Sequence, residues 1–123
     1  DNLCQLYRRV AFNIAIGNSD DHFRNHGFLL TPSGWTLSPA YDMNPTLCEY
    51  QSLLINSSTN ESNLQILYDS CEEYMISKTE ARTIIGEVVK GVNKWQSIAV
   101  GLGISKREID MFRHVYERNK LFQ

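Results

Sequence analysis

The sequence predicts a mainly α fold carrying one short β-hairpin, and three observations carry that reading. Apolar residues recur at helical spacing near both ends of the chain. Two Ser-x-x-Glu boxes, Ser77 to Glu80 and Ser105 to Glu108, mark helix starts. Strand-forming residues flank a Pro32-Ser33-Gly34 turn. With 123 residues, 42% hydrophobic and 21% charged, the chain has the size and composition of one globular domain with a real core.

The first element is a helix over residues 2–16, read from Leu3, Leu6, Val10 and Ile14, with Tyr7 beside them. The pattern is already running at Leu3 and the first residue is Asp1, so the chain reads as a piece of something longer. Gly17-Asn18-Ser19-Asp20 stops this helix: Gly and Asn accept a left-handed turn, while Ser and Asp bond nearby backbone. The hairpin follows, Gly27 to Thr31 and Trp35 to Leu37. Pro39 and Pro45 then bracket Ala40 to Asn44, which should be neither helix nor central strand. The polar run at 56–62 is the clearest seam, dividing a segment 1–55 from a helical region 56–123 within one compact unit. Beyond it, Leu64, Leu67, Tyr68, Cys71 and Met75 mark one helix. The Ser77 box opens a second, running through Ile84, Ile85, Val88, Val92, Trp95 and Ala99 to Leu102. The Ser105 box opens a third, with Ile109, Phe112 and Tyr116 inward.

Composition narrows the function. No apolar run is long enough for a transmembrane helix, and no signal peptide is visible. Cys4, Cys48 and Cys71 are odd in number and lack CxxC spacing, which fits plain thiols in a reducing cytosol rather than disulfides or a zinc site. Without a secretory signal, the glycosylation-like runs at Asn56 and Asn60 read as chance matches in a polar loop. The net charge is −2 with basic residues scattered, so no direct nucleic-acid binding and no membrane binding are expected.

The chemically informative stretch is Gly17 to Asn25, followed by the hairpin and Tyr41-Asp42-Met43. Phosphoryl transfer from a nucleotide needs a carboxylate that orients the attacking hydroxyl and accepts its proton. It also needs Mg²⁺, a hard cation that favours oxygen ligands such as an Asp carboxylate and an Asn amide. Protein kinases use an Asp, an Asn five residues later and a second Asp beyond. Here Asp20 and Asn25 are five apart, and Asp42 follows seventeen residues later across the hairpin. Each residue also has a plainer reading. Asp20, Asp21 and Asn25 suit turns, and Asp42 suits a cap. His22 and His26 are four apart but lie in a turn-rich stretch unsuited to a helical metal site. His114 falls on a helix flank without assigned function, and Trp35 and Trp95 read as core or hairpin packing.

Phe12 to Asn25, with its Asn13…Asn18-x-Asp20-x-His22-x-Arg24-Asn25 spacing, and Leu37-Ser38-Pro39-Ala40-Tyr41-Asp42 resemble the two signature segments of HipA-like serine/threonine kinases. The likeness is strong over residues 3–43, and the remainder resembles the family's helical C-terminal region in character. The resemblance implies a kinase C-lobe-like fold and an ATP- and Mg²⁺-dependent kinase, the toxin of a type II toxin–antitoxin system. It further implies a cytoplasmic location, a protein substrate and a DNA-binding antitoxin partner of the HipB type. By the same resemblance Asp20 is the catalytic base, Asn25 and Asp42 bind the metal and cofactor, and His22 helps position the transferred phosphate. Arg24 sits at a basic family position without a role, and Met43 replaces the Phe of a kinase DFG motif. The chain departs from a whole kinase in lacking a glycine-rich phosphate loop and a strand Lys, so alone it is expected to be inactive. Two other readings stand beside this one. One is a non-catalytic helical protein-interaction module, for which Tyr116 and Phe122 fit a partner contact, although either fits packing at home equally. The other is a metal-dependent hydrolase using Asp20, Asp21 and His22.

Overall fold

The computed structural model describes residues 2–46 and 50–122, so Cys48 lies outside the described residues. The elements run α1 (Asn2–Ile16), β1 (Phe28–Thr31), β2 (Gly34–Leu37), α2 (Leu64–Asp69), α3 (Lys78–Val92), α4 (Trp95–Gly101) and α5 (Lys106–Glu117). Short 3-10 turns occur at Phe23–Asn25, Cys71–Tyr74 and Arg118–Leu121. The mainly α fold with one antiparallel hairpin is as the sequence predicts.

The core forms where α1 packs on α3, with α2 across one end. The buried stripe of α1 is Tyr7, Ala11, Ile14 and Ala15, spaced i, i+4, i+7 and i+8. This differs from the expected stripe: Leu3 is exposed, and Leu6 and Val10 are only half-buried. The two alanines explain the rotation, because their small side chains let α3 approach through Ala81, Ile84, Ile85 and Val88. Tyr7 is fully buried and donates its hydroxyl to the Leu67 carbonyl at 3.0 Å, so its polar end is satisfied inside the core. Far along the chain, the buried Asn119 side chain donates to the Ala15 carbonyl at 2.8 Å and closes the C-terminus onto α1.

Both capping boxes form, with the Ser77 and Ser105 hydroxyls accepting from the Glu80 and Glu108 amides. Two helical expectations are corrected. The helix read through Met75 ends as α2 plus a 3-10 turn; Met75 takes a left-handed φ of 58° and is exposed, while Ile76 turns inward. The helix read from Ser77 to Leu102 breaks into α3 and α4. Around Gly91 and Asn93, both poor helix formers, the Lys94 amide bonds to Gly91, three residues back, at 3.3 Å. Leu102 consequently lies past the end of α4, exposed. Phe122 and Tyr116 are not free aromatics: Phe122 is buried, and Tyr116 stacks on Trp95 with ring centroids 4.3 Å apart.

The hairpin register pairs Phe28 with Leu37 and Thr31 with Gly34 across the Pro32-Ser33 turn. Gly34 has φ 108°, which only glycine adopts freely. Trp35 lies opposite Leu30 and is 67% exposed, so it is no core residue. One tie to the body is Asn2, whose Oδ1 accepts from the Leu37 amide and the Thr36 hydroxyl, each at 3.2 Å.

Candidate functional site

The end of α1 sets the position of the Asp20 loop. The Gly17 amide bonds to the Ile14 carbonyl at 3.1 Å and the Asn18 amide to the Asn13 carbonyl at 2.8 Å, the paired bonds of a Schellman stop with Gly17 at φ 72°. Side chains repeat the link. The buried Asn18 donates through Nδ2 to Asn13 Oδ1 at 3.0 Å and accepts from the Asp20 amide at 3.2 Å. Asp20 is thus fixed to the helix end by its backbone, while its carboxylate stays 72% exposed.

A second set of bonds holds the loop from outside. Thr46 Oγ1 donates to the Gly17 carbonyl at 2.7 Å and accepts from the Ser19 amide at 3.0 Å. The Ser52 amide and hydroxyl both reach the Ser19 carbonyl, at 3.0 and 2.7 Å. Below the loop, the buried Asp21 takes His26 Nε2 at 2.5 Å. Asp21 therefore serves the loop's packing. Among the described residues Asp20, Asp21 and His22 do not join in a cluster of metal-ligating side chains.

Asn25 is buried, and its Nδ2 donates to the Asp20 carbonyl at 2.7 Å. That bond orients the amide and leaves Oδ1 as its acceptor atom. His22 approaches Asp20, with Nε2 3.9 Å from Asp20 Oδ1, and its buried Nδ1 has no hydrogen-bond partner. Asp42 is exposed, accepts from Asn44 Nδ2 at 3.1 Å and holds φ 56°. A non-glycine residue in the left-handed region stores strain of about 1 kcal/mol, and such strain concentrates at functional positions.

Two contacts bring the Asp42 segment to the turn that carries Asn25. The Tyr41 hydroxyl donates to the Arg24 carbonyl, which joins the immediate neighbours of Asp42 and Asn25. The Ser38 amide bonds to the Gly27 carbonyl at 2.7 Å. An Asp carboxylate and an oriented Asn amide oxygen are the hard donors that magnesium takes, so the residues present fit that ion.

The family model of the HipA-like C-terminal domain matches residues 1–96. The chain belongs to the HipA-like C-terminal domain family. Among solved structures, this HipA-like chain resembles a chain of the Shewanella oneidensis MR-1 toxin–antitoxin system HipA, HipB and operator DNA complex. The TM-score is 0.70 at 17% identity, and the match covers 94% of this chain and 29% of that one. The likeness extends the shared fold past the family match, into α5. No curated protein matches the sequence.

Within this HipA-like site, several supporting residues carry no sequence-based role. Thr46 and Ser52 act through hydroxyls at long sequence separation, which no local pattern reveals. Asn13 and Asn18 had a signal in their five-residue spacing, since those are the positions a Schellman stop brings together.

Proposed function

We propose that this chain supplies the catalytic loop and magnesium ligands of an ATP- and Mg²⁺-dependent protein serine/threonine kinase. On this reading it is part of a type II toxin, cytoplasmic and restrained by a DNA-binding antitoxin of the HipB type. Support comes from the family membership, and above all from the Tyr41–Arg24 bond that draws the Asp42 and Asn25 segments together. The matched neighbour is more than three times as long as the aligned part, and the whole protein's activity belongs to this proposal.

Asp20 accepts the proton of the substrate hydroxyl, a role suited to an exposed carboxylate on a backbone held by Asn18. Asn25 and Asp42 would hold Mg²⁺ through the amide oxygen and the carboxylate, and the ion would supply positive charge against the nucleotide phosphates. His22, next to Asp20, steadies the transferred phosphate. No glycine-rich phosphate loop or strand Lys occurs in these 123 residues, so they contribute one part of the site and are inactive alone. No described helix is long and apolar enough to cross a membrane.

The test measures γ-phosphate transfer from ATP by the full-length protein that carries these residues. Asp20→Asn and Asp42→Asn should each abolish transfer, with circular dichroism unchanged. Transfer retained in both would refute the assigned roles.

A second reading, a non-catalytic helical interaction module, is favoured by one observation. Between α3, α4 and α5 lies an open apolar groove of about 780 Å³ that includes the exposed Ile98, Leu102 and Met111. If that is the chain's whole role, the full-length protein shows no γ-phosphate transfer, and Asp42→Asn leaves partner binding through the groove intact.

A further inference from the structure

A different hollow, of about 640 Å³, lies between α1 and the segment Thr36 to Ala40. Arg8 and Arg9 both line it, and among the described residues no carboxylate does. Arg8 is matched by Glu87 at 2.7 Å. Arg9 forms no ion pair with any described residue. Its Nη2 donates to the Ser38 carbonyl at 2.5 Å, and its Nη1 is buried without an acceptor. A half-buried guanidinium without a counter-charge is costly, and an oxyanion bound in the hollow supplies that charge. Among the described residues the remaining polar wall, Asn2, Gln5, Thr36 and Ser38, is uncharged, and the Glu87 carboxylate is held on Arg8.

We propose that this hollow is a binding site for a phosphate group, with Arg9 as its anchor and Arg8 as a second cation at its edge. A guanidinium fork matches two phosphate oxygens at once, which a chloride ion cannot exploit. The Arg9–Ser38 bond also makes the site a neighbour of the Asp42 segment, four residues on from Ser38. The proposal concerns binding alone and stands apart from the catalytic reading. The phosphate could be free or carried on a phosphorylated side chain, and the two are separable by experiment.

The full chain, isotopically labelled, is titrated with inorganic phosphate and with O-phosphoserine, against sodium chloride of matched ionic strength. The Arg9 Nε–H and Ser38 amide resonances should shift and saturate with phosphate and remain still with chloride. Tighter binding of phosphoserine assigns the site to phosphorylated side chains; tighter binding of inorganic phosphate assigns it to the free ion. Arg9→Gln should abolish saturation, and Arg9→Lys, which keeps the charge and loses the fork, should weaken binding about tenfold. Equal shifts with chloride, no saturation, or wild-type affinity in Arg9→Lys would each overturn the proposal, the last even if Arg9→Gln fails to fold.

Discussion

The Tyr41 hydroxyl donates to the Arg24 carbonyl across seventeen residues, so one bond joins the neighbours of two proposed magnesium ligands. Tyr41 is substantially exposed, and one such bond contributes only about 1 kcal/mol to stability. Its effect on the metal should be larger, because a support that orients a ligand tunes affinity about tenfold or more. Tyr41→Phe should therefore weaken the Mg²⁺-dependent shifts at Asn25 and Asp42 about tenfold. The urea midpoint should barely move. Loss of stability without loss of metal response would mark Tyr41 as a structural strut only.

Asp42 offers a separate test, since its left-handed backbone costs stability that glycine would not incur. Asp42→Gly should leave stability unchanged or raise it by up to about 1 kcal/mol in urea unfolding. The same substitution should eliminate the magnesium response. A variant more than about 1 kcal/mol less stable would show that the carboxylate is held for the fold instead.

The helix starts were legible because a capping box is a local arrangement, complete within four residues. The turn from Asp20 to Asn25 was legible for a related reason: the two residues are close in sequence and joined by a single bond. What local pattern could not reveal was set by packing. The buried face of α1 follows Ala11 and Ala15, which hydrophobic spacing underweights and close approach to α3 favours. The break after Val92 depends on a single turn tightening, where weak propensity at Gly91 and Asn93 yields to the packing of α4 on α5. Thr46 and Ser52 reach the loop from residues remote in sequence, so their roles emerge only in three dimensions.

One buried and one half-buried tyrosine, Tyr7 and Tyr74, give the fold an alkaline limit. Burial pushes the Tyr74 hydroxyl up to about 12, with the nearby Glu73 and Asp21 charges adding to the effect. Burial raises Tyr7 further still in the same direction. The unfolded chain releases these protons near pH 10, where the folded chain retains them. Above pH 10 the unfolded state therefore binds fewer protons, and stability falls as pH rises. Urea midpoints should hold steady below pH 10 and decline from there to pH 12. Tyr74→Phe should flatten part of that decline. An unchanged slope in the variant would remove Tyr74 from the account.

Gly17 is the residue on which loop position and core packing meet. Its φ of 72° suits glycine, and a Cβ there would lie 2.5 Å from Val115 Cγ1 and 3.0 Å from the Thr46 carbonyl oxygen. Gly17→Ala should cost about 2–4 kcal/mol, combining backbone strain with overpacking against a buried valine. Val115→Ala, which leaves a cavity in wild type, opens the space that the new methyl needs. The double variant should then be less destabilised than the sum of the singles by about 1 kcal/mol or more. Strict additivity in urea unfolding would mean that the cost resides in the backbone and Thr46 alone. Thr46 also holds the Ser19 amide, so the remaining cost in the double variant should appear as changed shifts at Ser19 and Asp20. That coupling makes Gly17 the point through which α5 supports the Asp20 loop.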